Sequence, residues 1–333
     1  MVKQINPSLA RIWHSENIRQ YGYSNPTLIP IQSEAEHRVV DILEQGVTNV
    51  QFGNLTRLAK IHQPELNLIL NRLAPLIRQT SSFLPELDQS DVEMRFAEIM
   101  RVFLADFQDP AAVIKKRGLA KVFVSSLGRT GLLAAKALYT AGVGTLITFD
   151  GTRVRRPDTN ELGYAPMAIG LTRHEAAKQH LGKKRDELQL HTRLTSGLDR
   201  ISAAMLIAND VVDPADYQVW MTRDVPHISI CFTESGASIS QLVNPGTTPC
   251  LACSEIYRMQ EDPSWLATVT QLSQLDRDLA DSVSMLAAVS VAVRRILNQI
   301  DNPLEDANNP LEFYSKTGEI VEGVLPDTNC GCR

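Results

Sequence analysis

Two groups of residues in this 333-residue chain have the types and spacing to do chemistry. The first is a set of cysteines. Cys250 and Cys253 form a CxxC knuckle in TTPCLAC, and Cys330 and Cys332 form a CxC pair. Two knuckles can supply four thiolates to one tetrahedral zinc ion and leave no open coordination position, so such a site supports structure and performs no reaction. The alternative is two unrelated pairs of buried thiols. The fifth cysteine, Cys231, follows Ile228-Ser229-Ile230 and reads as a core thiol rather than a nucleophile. The second group lies in residues 121–150, KVFVSSLGRTGLLAAKALYTAGVGTLITFD, which read as strand, glycine turn, helix, strand and terminal acid. Gly128 lets the backbone approach a phosphate, Gly131 lets the helix pack closely on the strand, and N–H groups at the helix N-terminus suit an anion. Asp150 follows about twenty residues on, where an acid can accept a hydrogen bond from a ribose hydroxyl. Ser126 replaces the first glycine of the GxGxxG pattern, which keeps the turn but alters the phosphate cradle.

These groups need an α/β scaffold, and the length suggests two or three units at about 100–200 residues each. Residues 1–84 are expected to form a small winged-helix-like α+β module. Its expected strands are 18–23 and 27–32, joined across Ser24-Asn25-Pro26, and three helices follow, started by Ser33 with Glu36, by Asn54 and by Pro64. Residues 85–118 read as a linker and a helix carrying Val92, Phe96, Ile99, Met100, Phe103 and Leu104 at helical spacing. Residues 119–333 are expected to form a Rossmann-like domain with a mainly parallel sheet. The net charge of -5 is small and mixed along the chain, so no attraction to nucleic acid is implied. No uninterrupted apolar run reaches membrane-spanning length and no signal core opens the chain, so no membrane partner and a cytoplasmic location are expected. Five cysteines are too few for a disulfide scaffold, and in a reducing compartment two close pairs suggest metal.

The helix end Ala141-Gly142-Val143-Gly144, the strand-ending Asp150, Val154, Gly170 and the cysteine knuckles together resemble the ThiF/MoeB-type adenylating enzymes, relatives of ubiquitin-activating enzymes. The resemblance runs from about residue 121 to the C-terminus and implies the structural zinc at Cys250, Cys253, Cys330 and Cys332. It also implies an ATP/Mg2+ site, with Ser126, Gly128 and Gly131 at the phosphates, Asp150 at the ribose, and Arg173 and Asp210 near the triphosphate and its magnesium. Family positions that surround the phosphates fall here on Thr152, Asp158, Glu161 and Arg173, so three are lost or reversed and one keeps its charge. Arg155 or Arg156 is the substitute for the missing arginine, and Asp213 is the alternative to Asp210. The implied site is therefore degenerate, with an active ATP-dependent adenylyltransferase as the alternative. The wording of residues 5–13, Gln20-Tyr21-Gly22, Pro226-His227, residues 243–250, Arg258, residues 262–265 and residues 329–332 is similar to actinobacterial ThiF-like proteins that bind leader peptides in azole-forming peptide pathways. That likeness implies a peptide or small-protein substrate, captured as an added strand, and a partner modifying enzyme such as one of the YcaO type. Family likeness and the apolar helix 282–297 together imply a homodimer.

Overall fold

The computed structural model describes residues 1–80, 93, 95–105, 109–181, 188–190, 200–303, 308–326 and 330–332. Residues 81–92, and with them Val92 of the expected helix, lie outside the described residues, as does Asn329. The chain divides into two units, Met1–Lys115 and Lys116–Arg333.

In the first unit the two expected strands are β3 (Ile18–Tyr21) and β4 (Thr27–Pro30), which pair antiparallel with Arg19 opposite Ile29. β2 (Arg11–Ser15) adds to the other side of β3. All five of its residues are exposed, so no apolar alternation announces it in sequence. β1 (Val2–Ile5) lies between β5 (Val47–Thr48) and β6 (Ile77–Thr80) in a second small sheet, whose partners are too far apart in sequence for local signals to pair. Helix α1 (Glu34–Gln45) starts where Ser33 accepts the Glu36 N–H and stops at Gly46, whose φ of 87° only glycine adopts readily. α2 (Asn49–Gly53), α3 (Leu55–Ala59) and α4 (Gln63–Leu73) follow. Asn54 precedes α3 but makes no side-chain cap bond, and the capping box belongs instead to Thr48 and Gln51. Val39, Leu43, Leu66, Ile69 and Leu73 bury their helix faces against Ile5, Tyr21 and Ile29. Glu44 of α1 fastens the hairpin to that core, accepting from Arg19 Nε and Nη2 at 3.0 and 2.8 Å and from the Tyr21 hydroxyl at 2.6 Å. α5 (Phe96–Leu104) belongs to this unit, and the unit boundary falls inside α6 (Pro110–Leu119).

The second unit is built on an eight-stranded sheet. β7 (Lys121–Val124), β8 (Thr145–Thr148), β9 (Leu188–Leu190), β10 (Ala203–Asn209) and β11 (His227–Thr233) run parallel in the order β9-β8-β7-β10-β11. β12 (Gly236–Ile239), β13 (Leu311–Tyr314) and β14 (Ile320–Glu322) extend it antiparallel beyond β11. β7 has β8 on one side and β10 on the other, so the strand order reverses at the carboxyl end of β7, where α/β sheets open a ligand crevice. α7 (Arg129–Thr140) and α12 (Ser282–Asp301) pack side by side on one face over Val122, Ile228, Ile230 and Ile239. Asp281 caps α12 by accepting the Val283 and Ser284 N–H groups. This helix is long and apolar enough to cross a membrane, but half of its apolar window is buried in the unit, and it serves as the core helix. The AGVG segment has a packing cause: a Cβ on Gly144 would lie 1.9 Å from the Gly118 carbonyl oxygen.

Arg117 is buried and ties the start of this unit to its core helix. Its Nε and Nη2 reach the Asp301 carboxylate at 2.8 and 2.5 Å, and Nη1 donates to the Ala141 carbonyl at 2.9 Å. Removing one partner of a buried pair strands the other charge, so Arg117→Ala is expected to cost about 3–5 kcal/mol. Chemical denaturation measures this, and a loss under about 1 kcal/mol, the range of exposed pairs, would contradict the assignment.

Candidate functional site

The glycine turn begins at the end of β7, and its conformation is fixed by close packing. A Cβ on Gly131 would stand 1.6 Å from the Ser126 carbonyl oxygen, so only glycine lets α7 sit this close to the turn. Ser126 does more than replace a glycine, because its Oγ accepts the Gly128 N–H at 3.1 Å and uses a donor that a phosphate cradle would offer. The buried Tyr164 hydroxyl donates to the Leu127 carbonyl at 2.6 Å and holds the turn from outside.

Asp150, just beyond β8, is committed to the protein itself. Its carboxylate accepts the Leu127 N–H at 2.7 Å, the Thr152 N–H at 3.0 Å, the Thr152 hydroxyl at 2.5 Å and the Ser126 hydroxyl at 3.3 Å, and Arg173 Nη1 lies 3.2 Å away. Burial opposes its charge, but the Thr152 hydroxyl, the Leu127 and Thr152 N–H groups and the Arg173 cation outweigh that and hold the carboxyl below the ordinary aspartate range. Arg173 opens α8 (Arg173–Leu181) and also takes Asp158 in a two-pronged contact, Nη2 at 2.8 Å and Nε at 3.2 Å. Burial works against this cation too, and the two acids overcome it and raise its pKa. The guanidinium bridges two nearly buried carboxylates. Its Cζ lies 3.6 Å from where a Cβ on Gly128 would be, so it covers the turn meant to approach a phosphate.

The structure thus brings together Ser126, Gly128, Gly131, Asp150, Asp158 and Arg173, and adds Tyr164, which the sequence had not marked as a site residue. Arg156 is exposed on the single 3-10 turn Arg156–Asp158 and makes no ion pair among the described residues. Asp210 is elsewhere engaged. It follows β10 with a φ of 62° and binds Arg277, at 3.0 Å to Nε and more closely to Nη2, while Arg277 Nη1 reaches Glu234 at 2.7 Å. Asp213 caps α9 (Pro214–Met221). In this arrangement the Asp150 carboxylate meets five donors, and Arg173 is held by two acids over Gly128.

The cysteines do converge. All four Sγ atoms lie within 4.8 Å of one another, with pairs at 3.0, 3.3, 3.7 and 3.8 Å. A tetrahedron with Zn–S bonds of about 2.3 Å has sulfur atoms about 3.8 Å apart, so the set fits that ion. Cys250 is the N-cap of α10 (Leu251–Glu261) and Cys253 lies in its first turn, where the helix dipole favours thiolate. Gly331, at a φ of 74°, makes the tighter CxC turn possible. Cys231 is a buried core thiol, its pKa pushed up to about 12 by burial.

Together, the sheet order and the glycine turn are consistent with a Rossmann-like, ThiF/MoeB-like fold. The chain has sequence similarity to ubiquitin-like modifier-activating enzyme 5 of Culex quinquefasciatus, 27% identical over 156 residues, which covers 40% of this chain and 39% of that protein. The protein of the same name from Gallus gallus is 23% identical over 223 residues, 60% of this chain and 54% of that one. The chain therefore spans about half or less of the length of these curated relatives. No family model matches it. Escherichia coli MccB, solved with AMPCPP and selenomethionyl MccA, shares the fold over 100% of this chain and 99% of that one, with a TM-score of 0.71 at 14% identity. PaaA shares it over 84% of this chain and 97% of that one, with a TM-score of 0.62 at 17% identity.

Proposed function

We propose that this protein captures a peptide or small-protein substrate in its first unit, by a winged-helix-like clamp, and presents it to a partner modifying enzyme, for instance of the YcaO type. The nucleotide site of the second unit is out of use in this reading. The observation that carries the second half is the Arg173 bridge between Asp150 and Asp158. The four cysteines, when loaded, hold one structural zinc. Support for the first half comes from MccB, which has been solved with N-formylated MccA and with selenomethionyl MccA, a ligand that the amino acid itself marks as a polypeptide.

The physical basis for capture is the outer edge of β4. Ile31 donates its N–H to Asn17 across the hairpin, so by strand alternation the backbone groups of Leu28 and Pro30 point away from β3. Arg72 takes the outward Pro30 carbonyl, while Leu28 offers both a donor and an acceptor to an incoming strand. The opposite edge, β2, carries a bulge between Trp13 and Ser15, a feature that discourages strand addition. Leu28→Pro removes an outward N–H without touching the β3 ladder. It is expected to weaken binding of a fluorescent substrate peptide by at least about tenfold, the value of one to two lost backbone bonds, while the melting temperature stays close to wild type. Unchanged affinity in anisotropy titrations would place the peptide elsewhere.

A second reading has its own support. MccB has also been solved with ATP, and the sequence relatives are activating enzymes by name, which favours an adenylyltransferase acting on a peptide or protein carboxylate. Carboxylate-dependent pyrophosphate exchange well above an Asp150→Ala control would establish it. In either reading the protein acts as a homodimer, with Val283 and Leu286 of α12 exposed for the contact. A dimeric mass at micromolar protein in light scattering is expected, and a monomeric one removes this part.

A further inference from the structure

We infer that a cavity of about 210 Å³ between the sheet and α10 is a binding site for a small neutral polyol. β11 and β12 lie inside the sheet, and strands covered on both faces ordinarily read as apolar runs. Their face under α12 does so, with Ile228, Ile230 and Ile239. The opposite face presents Ser229, Cys231, Ser238 and Ser240 to the cavity. Side chains this small leave space where a core would otherwise close. Tyr217 of α9 and Leu251 and Ser254 of α10 form the facing wall.

Two hydroxyls decide what belongs there. Tyr217 and Ser229 both line the cavity, and each is only 4% exposed. Neither hydroxyl has a hydrogen-bond partner among the described residues, yet neither is sealed in packed protein as the Trp220 indole nitrogen is, so the open space each faces is the cavity. Buried polar groups are costly to leave unpaired, so both hydroxyls call for a ligand atom. The phenol donates, and the serine hydroxyl donates or accepts. The charged lining residues answer to one another. Arg258 lies 3.3 Å from Glu255 and attracts Glu312, and the Ser238 hydroxyl donates to Glu312, so no ion is needed to balance them. The two acids still have accepting positions beyond those contacts, because a carboxylate accepts at about four. An amine would leave the Tyr217 donor unmet, and a carboxylate would bring charge beside two acids. A hydroxyl accepts from Tyr217, donates to the acids and leaves the charge unchanged. The partners stand on α9, β11, α10 and β13, which calls for several hydroxyls on one short skeleton. Val212, Leu251 and Val324 offer carbon surface to that skeleton and no hydrogen bond to water, which favours the ligand over water there. At about 30 Å³ per water the space takes about seven waters or a similar number of ligand atoms, the size of glycerol or erythritol and far below a nucleotide. The site lies in the second unit and does not rest on peptide capture by the first.

The test uses the full-length zinc-loaded protein in ligand-observed NMR titrations, with erythritol, butan-1-ol and 1,4-diaminobutane as probes. Melting temperature does not report the ligand, because polyols raise it for any protein by exclusion from the surface. Erythritol is expected to bind saturably at millimolar concentration, and butan-1-ol and the diamine more weakly. Tyr217→Phe, which removes only the hydroxyl, should weaken erythritol about 5- to 10-fold, the value of one hydrogen bond. It should leave the melting temperature of the ligand-free protein unchanged, since no bond within the chain is lost. Ser229→Val removes the second hydroxyl and fills the space with a side chain suited to a strand, so it should abolish binding while the zinc content is kept. No saturable binding of erythritol, equal or tighter binding of butan-1-ol or the diamine, or undiminished affinity in Tyr217→Phe would each overturn the site, leaving a cavity that holds water. A Tyr217→Phe variant that melts well below wild type would overturn it as well, because the hydroxyl would then have its partner within the chain.

Discussion

Cys253→Ser is expected to lower bound zinc from about one ion per chain to near zero and to leave most of the protein insoluble or melting far below wild type. Cys253 is fully buried and central to the cluster, with its Sγ 3.0 Å from Cys330 and 3.3 Å from Cys332. A site that the unfolded chain does not possess returns its binding free energy as folding free energy, about 10–16 kcal/mol for structural zinc in small peptides. A domain is stable by only about 5–15 kcal/mol, so even part of that loss is enough to unfold it. The cluster also holds residues 330–332 against α10, beside Tyr217 and Trp220, so its loss frees the chain end from that side of the core. Elemental analysis and calorimetry of protein purified without chelators read both effects. Zinc-free wild-type protein, or a Cys253→Ser variant with an unchanged melting temperature, would remove the metal from this fold.

The second large effect concerns nucleotide. Wild-type protein is expected to bind ATP weakly or not at all and to show no pyrophosphate exchange. Positioned charge supplies most of the catalysis of phosphoryl and acyl-adenylate chemistry, and one lost stabilising group costs about 10²–10³ in rate. Thr152, Asp158 and Glu161 fall where the sequence resemblance implies groups around the phosphates, and Asp158 also holds Arg173. Asp158→Asn should release Arg173 and raise ATP affinity measurably without restoring exchange, because the other groups are still missing. Glu161→Arg alone should do neither. Arg173→Ala should instead destabilise the protein, since it leaves Asp150 and Asp158 buried without their common partner, a loss of about 3–5 kcal/mol. The pH dependence has a definite sign. The folded-state pKa of Asp150 is depressed, so its contribution is complete above the unfolded aspartate value of about 3.9 and is lost as pH falls through the folded value. Tight ATP binding by the wild type, with exchange that disappears in Asp150→Ala, would make the protein an adenylating enzyme and end the clamp-only reading.

Local chemistry was legible from the sequence by itself. Ser33 and Gly46 mark the ends of α1 because a cap and a left-handed stop depend on neighbours within a turn. The strand, glycine turn and helix of residues 121–140 were legible because Gly131 answers to a carbonyl five residues away. The two cysteine pairs marked a candidate metal site by ligand type, and their four Sγ atoms do converge. What only the tertiary structure decided is where long side chains spend their charges. Arg173 was marked as a phosphate ligand, but which acids it meets depends on the loop after β8 folding Asp158 back toward α8, and no spacing rule encodes that. Asp210 was a candidate for magnesium, and its partner Arg277 lies 67 residues further along the chain. β1 and β6 pair across the whole first unit, and β2 carries no buried residue, so neither offers a local pattern to read. Short-range backbone preferences act within a few residues and are written in order along the chain. Ion pairs and cavities arise between segments that the order does not place side by side.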